Sequence, residues 1–464
     1  MARKCAVGLV CIMLALSLCS CSRTKTKEEI LREAEQYTEN IALDTAYDYQ
    51  KDMGKWLEPE TSYEYDENGD TSDEIVRLTD SNFILQKDRL YFQVGKPTAT
   101  SFGADFWVYV SLKTGEKHYL CPDPLCEHTK QSACQYLDLA ELTFHPDSES
   151  TLYMTKNISV ENKYCGTICK IDLDNNKISE LYRENLTDSE ARSNRFDLMF
   201  INENTLYFTD RYTYREDNGE GEVVFTDEVY FKALDLSETV SAGNARILDS
   251  EYDGKRCVYV LNDQIFGIDS GVAYGAGRFY VTDMNFGAEK TILEYEEGSH
   301  ISGLCYDQNT EEFYLLVSSN DMHISSNAEN GKGKLYCLDR DFHCEEVPMP
   351  SEQILSFQLT NQYIYYTIYD PIVYGMSPRG IEATDESGNK IYRVSRDDTT
   401  VAELAFDGHE ELRWRPSGYT ITGDYLYMDY ASIAREGGLV WFKAIGSTAR
   451  INMKDNTIRW INLD

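Results

Sequence analysis

The most regular feature of this 464-residue chain is a short apolar–polar phrase that returns at irregular intervals. In Asn204–Asp210, Leu206 and Phe208 alternate with Tyr207 and Thr209 between polar turn residues, the pattern of a short, half-buried β-strand. The phrase recurs at Arg89–Phe92, Thr151–Met154, Arg278–Val281, Glu312–Leu315, Tyr363–Tyr366 and Tyr425–Met428. A strand repeated every few dozen residues predicts a radial all-β array. Hairpins with tight polar turns are read at Tyr109–Leu120, Ile168–Tyr182 (turning at Asn175-Asn176), Leu335–Val347, Ile391–Leu404 and Ala449–Ile461. A lead strand, the phrase and a hairpin make four antiparallel strands per unit, the plan of a β-propeller blade.

Seven copies predict seven blades, and the long gap around Ser250–Ala273 leaves room for an eighth. A lone unit would have open edges and one uncovered face, whereas a closed ring covers both. Two stacked β-sandwiches are the rival all-β arrangement. No stretch alternates strand and helix in βαβ fashion, so a doubly wound nucleotide fold is not expected. The propeller is expected over residues 81–464, behind a segment 1–20 and a segment 21–80 of different character.

Composition supports strands: Tyr contributes 34 residues, and its ring packs on a pleated surface while its hydroxyl reaches water. The net charge of −35 repels phosphate backbones, which argues against nucleic acid as a partner and for a self-repelling, solvated exterior.

The N-terminus predicts a location. Arg3 and Lys4 precede an apolar run, Ala6–Leu18, too short to span a bilayer. The run ends in Leu18-Cys19-Ser20-Cys21, which resembles the lipobox of bacterial lipoproteins, with an apolar residue three before Cys21 and a small one just before it. The resemblance implies cleavage after residue 20, acylation of Cys21 and stable anchoring on the outside of the cell membrane, because more than one acyl chain is attached. A secretory signal with chance cysteines is the plainer alternative. Beyond it, residues 21–80 read as a tether: a polar spacer, a short amphipathic helix over Lys27–Leu43 and an acidic loop, Tyr63–Glu74. Asp66, Asn68 and Asp70 have calcium-loop spacing, but Thr71 and Arg77 stand where such a loop needs Gly and Glu, so a solvated loop is expected.

The sharpest chemical signal is the insert Cys121-Pro-Asp-Pro-Leu-Cys126-Glu-His128, completed by Cys134. Three Cys and one His can fill a closed tetrahedral Zn²⁺ shell, which would be structural rather than catalytic. A disulfide between two of the cysteines is the alternative that an oxidising exterior favours. After Cys21 the chain holds nine cysteines (121, 126, 134, 165, 169, 257, 305, 337 and 344), so three spent on a metal leave an even number. Cys337 and Cys344 flank the turn Asp339–Phe342 and are expected to face each other as a disulfide.

Together the lipobox, the tether, the Tyr-rich blades and the Cys-Pro-Asp-Pro-x-Cys-x-His insert resemble β-propeller lipoproteins of anaerobic Gram-positive gut bacteria. That family has no settled activity, so the resemblance implies location and fold and leaves function open.

No catalytic residue is assigned. The chain has no Gly-x-Ser-x-Gly elbow, no His-Glu-x-x-His and no phosphate-binding Gly-rich loop, and its seven histidines are scattered singly. Asp172–Asn176 reads as a hairpin turn before a Ca²⁺ site, and Tyr363, Tyr365 and Tyr369 as blade packing before a sugar platform. The loops Arg215–Glu222, Ser318–Lys334 and Pro371–Asn389 are better placed for recognition. The leading expectation is a surface-anchored module or scaffold that binds an extracellular ligand or envelope protein; the alternative is a glycan-acting lyase or glycosidase with its site at the channel mouth.

Overall fold

The computed structural model describes residues 70, 75–78, 83–95, 105–123, 126, 134–136, 139–145, 148, 150–160, 163–184, 186, 191, 193–217, 223–237, 245–249, 255–269, 276–319, 332–368, 375–377, 380–382, 390–407, 419–436 and 439–461. The expected leader, Cys21 and the helix over 27–43 lie outside them. Every regular element among the described residues is a β-strand.

A short strand β1 (Ile75–Arg77) comes first, followed by seven four-stranded antiparallel meanders, the second and third of which are joined into one sheet by a parallel bridge between Tyr164 and Ser193. Blade 1 is β2 (Phe83–Gln86), β3 (Arg89–Gly95), β4 (Asp105–Ser111) and β5 (Lys117–Tyr119). Blade 2 is β6 (Leu139–Phe144), β7 (Thr151–Val160), β8 (Lys163–Asp172) and β9 (Lys177–Arg183). Blade 3 is β10 (Ser193–Asn202), β11 (Thr205–Asp217), β12 (Val223–Asp235) and β13 (Arg246–Asp249). Blade 4 is β14 (Lys255–Leu261), β15 (Gln264–Asp269), β16 (Gly277–Asp283) and β17 (Lys290–Tyr295). Blade 5 is β18 (Ser299–Asp307), β19 (Glu312–Ser319), β20 (Gly333–Leu338) and β21 (Cys344–Glu346). Blade 6 is β22 (Ile354–Leu359), β23 (Tyr363–Ile368), β26 (Ile391–Ser395) and β27 (Glu403–Phe406), with a small hairpin, β24 (Gly375–Ser377) and β25 (Gly380–Glu382), between its second and third strands. Blade 7 is β28 (Tyr419–Thr422), β29 (Tyr425–Glu436), β30 (Leu439–Asn452) and β31 (Thr457–Ile461).

Seven apolar clusters join these sheets in a cycle. Tyr91, Trp107 and Leu120 of blade 1 pack on Leu139, Leu152 and Met154 of blade 2. Tyr153 and Ile168 meet Phe196, Leu206 and Phe208 of blade 3. Phe200, Tyr207 and Phe231 meet Val260 and Ile265 of blade 4. Phe266 and Phe279 meet Leu304, Phe313 and Leu315 of blade 5. Tyr314, Leu316 and Leu335 meet Phe357 and Tyr366 of blade 6. Tyr365, Ile391 and Phe406 meet Ile421, Leu426 and Met428 of blade 7. Finally Tyr425 and Tyr427 of blade 7 pack on Leu90, Phe92 and Val108 of blade 1. The cycle is the β-propeller, and it closes after seven blades.

Ring closure explains why the phrase is buried on both faces rather than one. Leu206 and Phe208 point into the blade 2 interface and Tyr207 into the blade 4 interface, and all are at most 7% exposed. A sandwich would have left one of those faces wet.

Six copies of the phrase form the second strand of their blade, but Arg278–Val281 lies on β16, the third strand of blade 4. The second strand there is β15, inside the gap that left room for an eighth blade. It escapes notice because Gly267 stands where the other copies carry an aromatic or large apolar side chain. Gly267 pairs with Tyr280, and a Cβ on Gly267 would meet the Tyr280 ring at 2.4 Å. The aromatic volume comes from the next strand instead.

Among the described residues the first and last blades share no β-ladder, and side chains join them. Besides the apolar contact, the buried Arg450 of β30 donates to the Gly115 carbonyl of blade 1 at 3.2 Å. A second device joins blades 6 and 7. The Gln358 side-chain amide on β22 donates to the Ile421 carbonyl (2.9 Å) and accepts from the Ile421 N–H (2.8 Å) on β28. First strands of neighbouring blades therefore face each other around the central channel.

Strand β1 pairs antiparallel with β18, on the edge opposite β19, and so stands inside that channel. The Leu78 N–H extends the ladder to the Leu304 carbonyl at 2.9 Å. Asp70, expected in a solvated loop, is instead clamped to two turns. Its carboxylate accepts from the Thr360 hydroxyl and the Gln362 N–H, and its carbonyl accepts from the Gly423 N–H. Arg77 donates to the Tyr419 carbonyl at the start of β28. Residues 70 and 75–78, which the sequence reading placed in the tether, thus pin blades 5, 6 and 7 from within.

The turn between third and fourth strands follows one rule in six blades. An aspartate there accepts from a backbone N–H two to four residues on: Asp172 from Asn175, Asp235 from Ser237, Asp283 from Asn285 and Gly287, Asp339 from Asp341 and His343, Asp398 from Thr400, and Asp455 from Thr457. The hairpin-turn reading of Asp172–Asn176 agrees with this geometry. These hydrogen bonds hold all six carboxyls below their ordinary range, the Asp172, Asp235, Asp398 and Asp455 groups chiefly through the neighbouring side chain and the Asp283 and Asp339 groups chiefly through backbone N–H groups. A depressed folded-state pKa gives stability that is present above the unfolded value and lost as pH falls through the folded one. The Asp172→Asn/Asp283→Asn double variant keeps an acceptor at each turn but not the charge. Its stability deficit against the parent, measured by urea unfolding, is expected to be constant from pH 7 to about 5 and to shrink below about 4, near the unfolded carboxyl pKa. A deficit unchanged down to pH 3 would count against the turn role.

Cys337 and Cys344 do not face each other. The register pairs Cys337 with Glu345 and Leu338 with Cys344, one residue off the expected alignment. Because side chains alternate, Cys337 packs toward blade 6 and Cys344 toward blade 4, and both are free thiols on opposite faces of the sheet. The expected disulfide is therefore corrected.

Candidate functional site: the thiol cluster and the loop-bearing face

Each meander fixes which connections share a face. Turns between first and second strands lie at one end of the ring, and connections between second and third strands lie at the other. The short links from a fourth strand to the next first strand, such as Tyr295 to Ser299, keep all blades in the same sense. The three recognition loops join β11 to β12, β19 to β20 and β23 to β26, all second-to-third connections, so their strand ends lie at one face. Asp70 sits at the opposite face, on the first-to-second turns at Thr360–Gln362 and Gly423. Two of the most exposed aromatics, Tyr164 (60%) and Phe225 (57%), stand on the loop side of their strands.

The Cys insert links the end of blade 1 to the start of blade 2 and therefore belongs to the loop-bearing face. The chain leaves β5, passes Leu120, whose N–H donates to the Trp107 carbonyl at 3.0 Å, and reaches Cys121. Cys126 turns back through its N–H to the Asp123 carbonyl at 3.1 Å. Cys134 follows, 3% exposed, just before β6. The sulfurs of Cys121, Cys126 and Cys134 all lie within 4.8 Å of one another, and Tyr136 packs against them. Desolvation pushes the Cys121 and Cys134 thiols up, Cys134 to about 12. His128, the expected fourth ligand, lies outside the described residues.

A second polar cluster had no sequence signal. Lys232 on β12 is 5% exposed and donates to Asp210 (2.6 Å), Glu184 (3.0 Å) and the Tyr212 hydroxyl (3.3 Å). Asn194 donates to Asp210 at 3.0 Å and accepts from the Gly166 N–H at 2.9 Å, while Tyr182 donates to Glu184 at 2.6 Å. Burial pushes the Asp210 carboxyl up, and Lys232 opposes that shift. The network ties blade 2 to blade 3.

The remaining candidates are structural. Tyr365 is in the blade 6–7 core and Tyr363 packs against that core under Arg393, while Tyr369 lies outside the described residues. His118 stacks on Tyr109, His145 meets Asn204 and His343 bonds Asp339 in its turn. His343 lies with Asp339 and Asp341 in that exposed turn, their ligand atoms within 4.8 Å of one another.

No protein-family profile and no curated protein matches this chain. Solved structures similar to it include the β-propeller domain of the Trilobed protease from Pyrococcus furiosus, at 11% identity over 84% of this chain and 98% of that one, with a TM-score of 0.44. An oligogalacturonate lyase from Vibrio parahaemolyticus is 11% identical over 82% of this chain and 94% of its own, with a TM-score of 0.47. The acylaminoacyl peptidase of Pyrococcus horikoshii has a TM-score of 0.44 at 11% identity, and 52% of its length is covered. At these identities no residue role carries across.

Proposed function

We propose that this protein is a lipid-anchored, extracytoplasmic β-propeller that binds an envelope or extracellular ligand through its loop-bearing face. The observation that carries the reading is the opposition of the two faces. Asp70 meets the ring on the first-to-second turns, the face opposite the loops. On that other face stand the ends of the three long connections, the exposed Tyr164 and Phe225, and the Cys insert. A rigid ring that projects variable loops from one rim suits recognition. Acylation at Cys21 would hold it to the outer surface of the cell membrane.

The test is a glycan and envelope-fraction binding screen with the chain from Ser22 onward, including an assay for glycan cleavage. Replacement of residues 218–222 and 320–331 by short Gly-Ser turns, and Tyr164→Ser/Phe225→Ser, are expected to weaken any captured ligand at least ten-fold. Glu203→Lys, on a first-to-second turn, is expected to leave binding unchanged. Binding that survives every change on the loop side, or turnover of a glycan, would overturn the reading in favour of another surface or of an enzyme. Mass spectrometry of the N-terminal peptide from native membranes checks the anchor, with a diacylated or triacylated Cys21 expected.

A further inference from the structure

We propose that Cys121, Cys126 and Cys134 form a structural site for one thiophilic divalent cation, Zn²⁺ by its chemistry, that fastens the link between blades 1 and 2. The argument rests on number and placement. A disulfide consumes two sulfurs and strands the third, yet all three converge within 4.8 Å of one another. Thiolates bound to zinc at about 2.3 Å in a tetrahedron stand roughly 3.8 Å apart. The cluster therefore needs at most a small contraction to hold the ion with every sulfur used.

Placement is that of a clasp. Cys121 follows the last strand of blade 1 and Cys134 precedes the first strand of blade 2, so the ion would close the insert at its base. Cys134 is buried, and Tyr136 covers the sulfurs while also packing on the blade 1–2 core. Such a shell stiffens a connection and offers no chemistry to a substrate. Each coordinating thiol exchanges its S–H bond for an S–Zn bond and releases one proton. The described residues supply three sulfurs, and one further ligand completes the tetrahedron.

The experiment uses the chain from Ser22 onward, purified with reductant and stripped of metal, and titrated with Co²⁺ and then Zn²⁺ against a chromophoric chelator. The expected result is one ion per chain, a thiolate-to-cobalt charge-transfer band that Zn²⁺ bleaches, and proton release in weakly buffered solution. Cys134→Ala should abolish the band while leaving the far-ultraviolet circular dichroism of the ring intact. If Cys134→Ala does not fold, alkylation settles the matter in the parent: Zn²⁺ should protect all three thiols from iodoacetamide. Absence of the charge-transfer band with the three thiols shown to be reduced, or a mapped disulfide between any two of them in protein isolated without reductant, would overturn the site.

Discussion

Replacing Lys232 by methionine is expected to destabilise the fold by about 3–5 kcal/mol, the usual result of leaving a buried charge without its partner. Asp210 is wholly buried, and Lys232 and Asn194 are its side-chain partners. Methionine fills the lysine stem but cannot neutralise the carboxylate, which must then stay ionised and unpaired or take up a proton. Tyr212 and Glu184 lose the same donor. The double variant Lys232→Met/Asp210→Asn removes the charge as well and is expected to recover much of the loss. Urea unfolding of parent, single and double variants at pH 7 measures this. A single-variant cost under about 1 kcal/mol, the range of an exposed pair, would show that the network is solvated.

The second large effect concerns the N-terminal pin. A chain starting at Thr79 lacks both the Asp70 clamp and the ladder between β1 and β18. Ile75, Val76 and Leu78 are partly buried against the cores on either side of blade 5. At roughly 1 kcal/mol for each half-buried side chain, with at least five hydrogen bonds at about 0.5–1.5 kcal/mol each, the loss is about 5–10 kcal/mol. Against a chain starting at Ser22, the truncated protein is expected to unfold at a clearly lower urea concentration. Hydrogen exchange should locate the effect on the first strands of blades 5, 6 and 7. Equal stability would mean that the segment merely passes through the channel. Asp70→Ala should reproduce part of the change, because it removes the acceptor for Thr360 and Gln362 and leaves the ladder in place.

What was legible in the sequence was what repeats. The Leu-Tyr-Phe phrase marks strands covered on both faces by neighbouring blades, so its apolar run is imposed by one geometry on the second strand of six blades. The third-to-fourth hairpins of blades 1, 2, 5, 6 and 7 were legible because polar residues at tight turns have a local physical reason. Blade 4 hid its second strand because Gly267 gives up its side chain to make room for Tyr280. β1 hid because three residues, Ile-Val-Arg, in an acidic stretch carry no periodicity, and only the edge of β18 makes them a strand. The Cys337–Cys344 pairing failed for a similar reason. Turn length alone does not fix register, and a shift of one residue moves a side chain to the other face. The three thiols of the insert were legible as a group because they are close in sequence as well as in space. The Asp210–Lys232 network was not, since its members come from β10, β11, β12 and the end of blade 2.

Everything above depends on blade 7 closing onto blade 1, and amine cross-linking tests that most directly. Gly115 and Arg450 are in contact, and Lys113 and Lys454 lie two and four residues from them. At about 3.3–3.6 Å per residue, the two lysines are within reach of a common lysine-to-lysine cross-linker. Both are largely exposed, at 59% and 69% of the side chain. Cross-linking mass spectrometry of dilute monomer is predicted to recover a Lys113–Lys454 link between the first and last blades. Links confined to blades that are consecutive in sequence, with none between the first and the last, would contradict the ring.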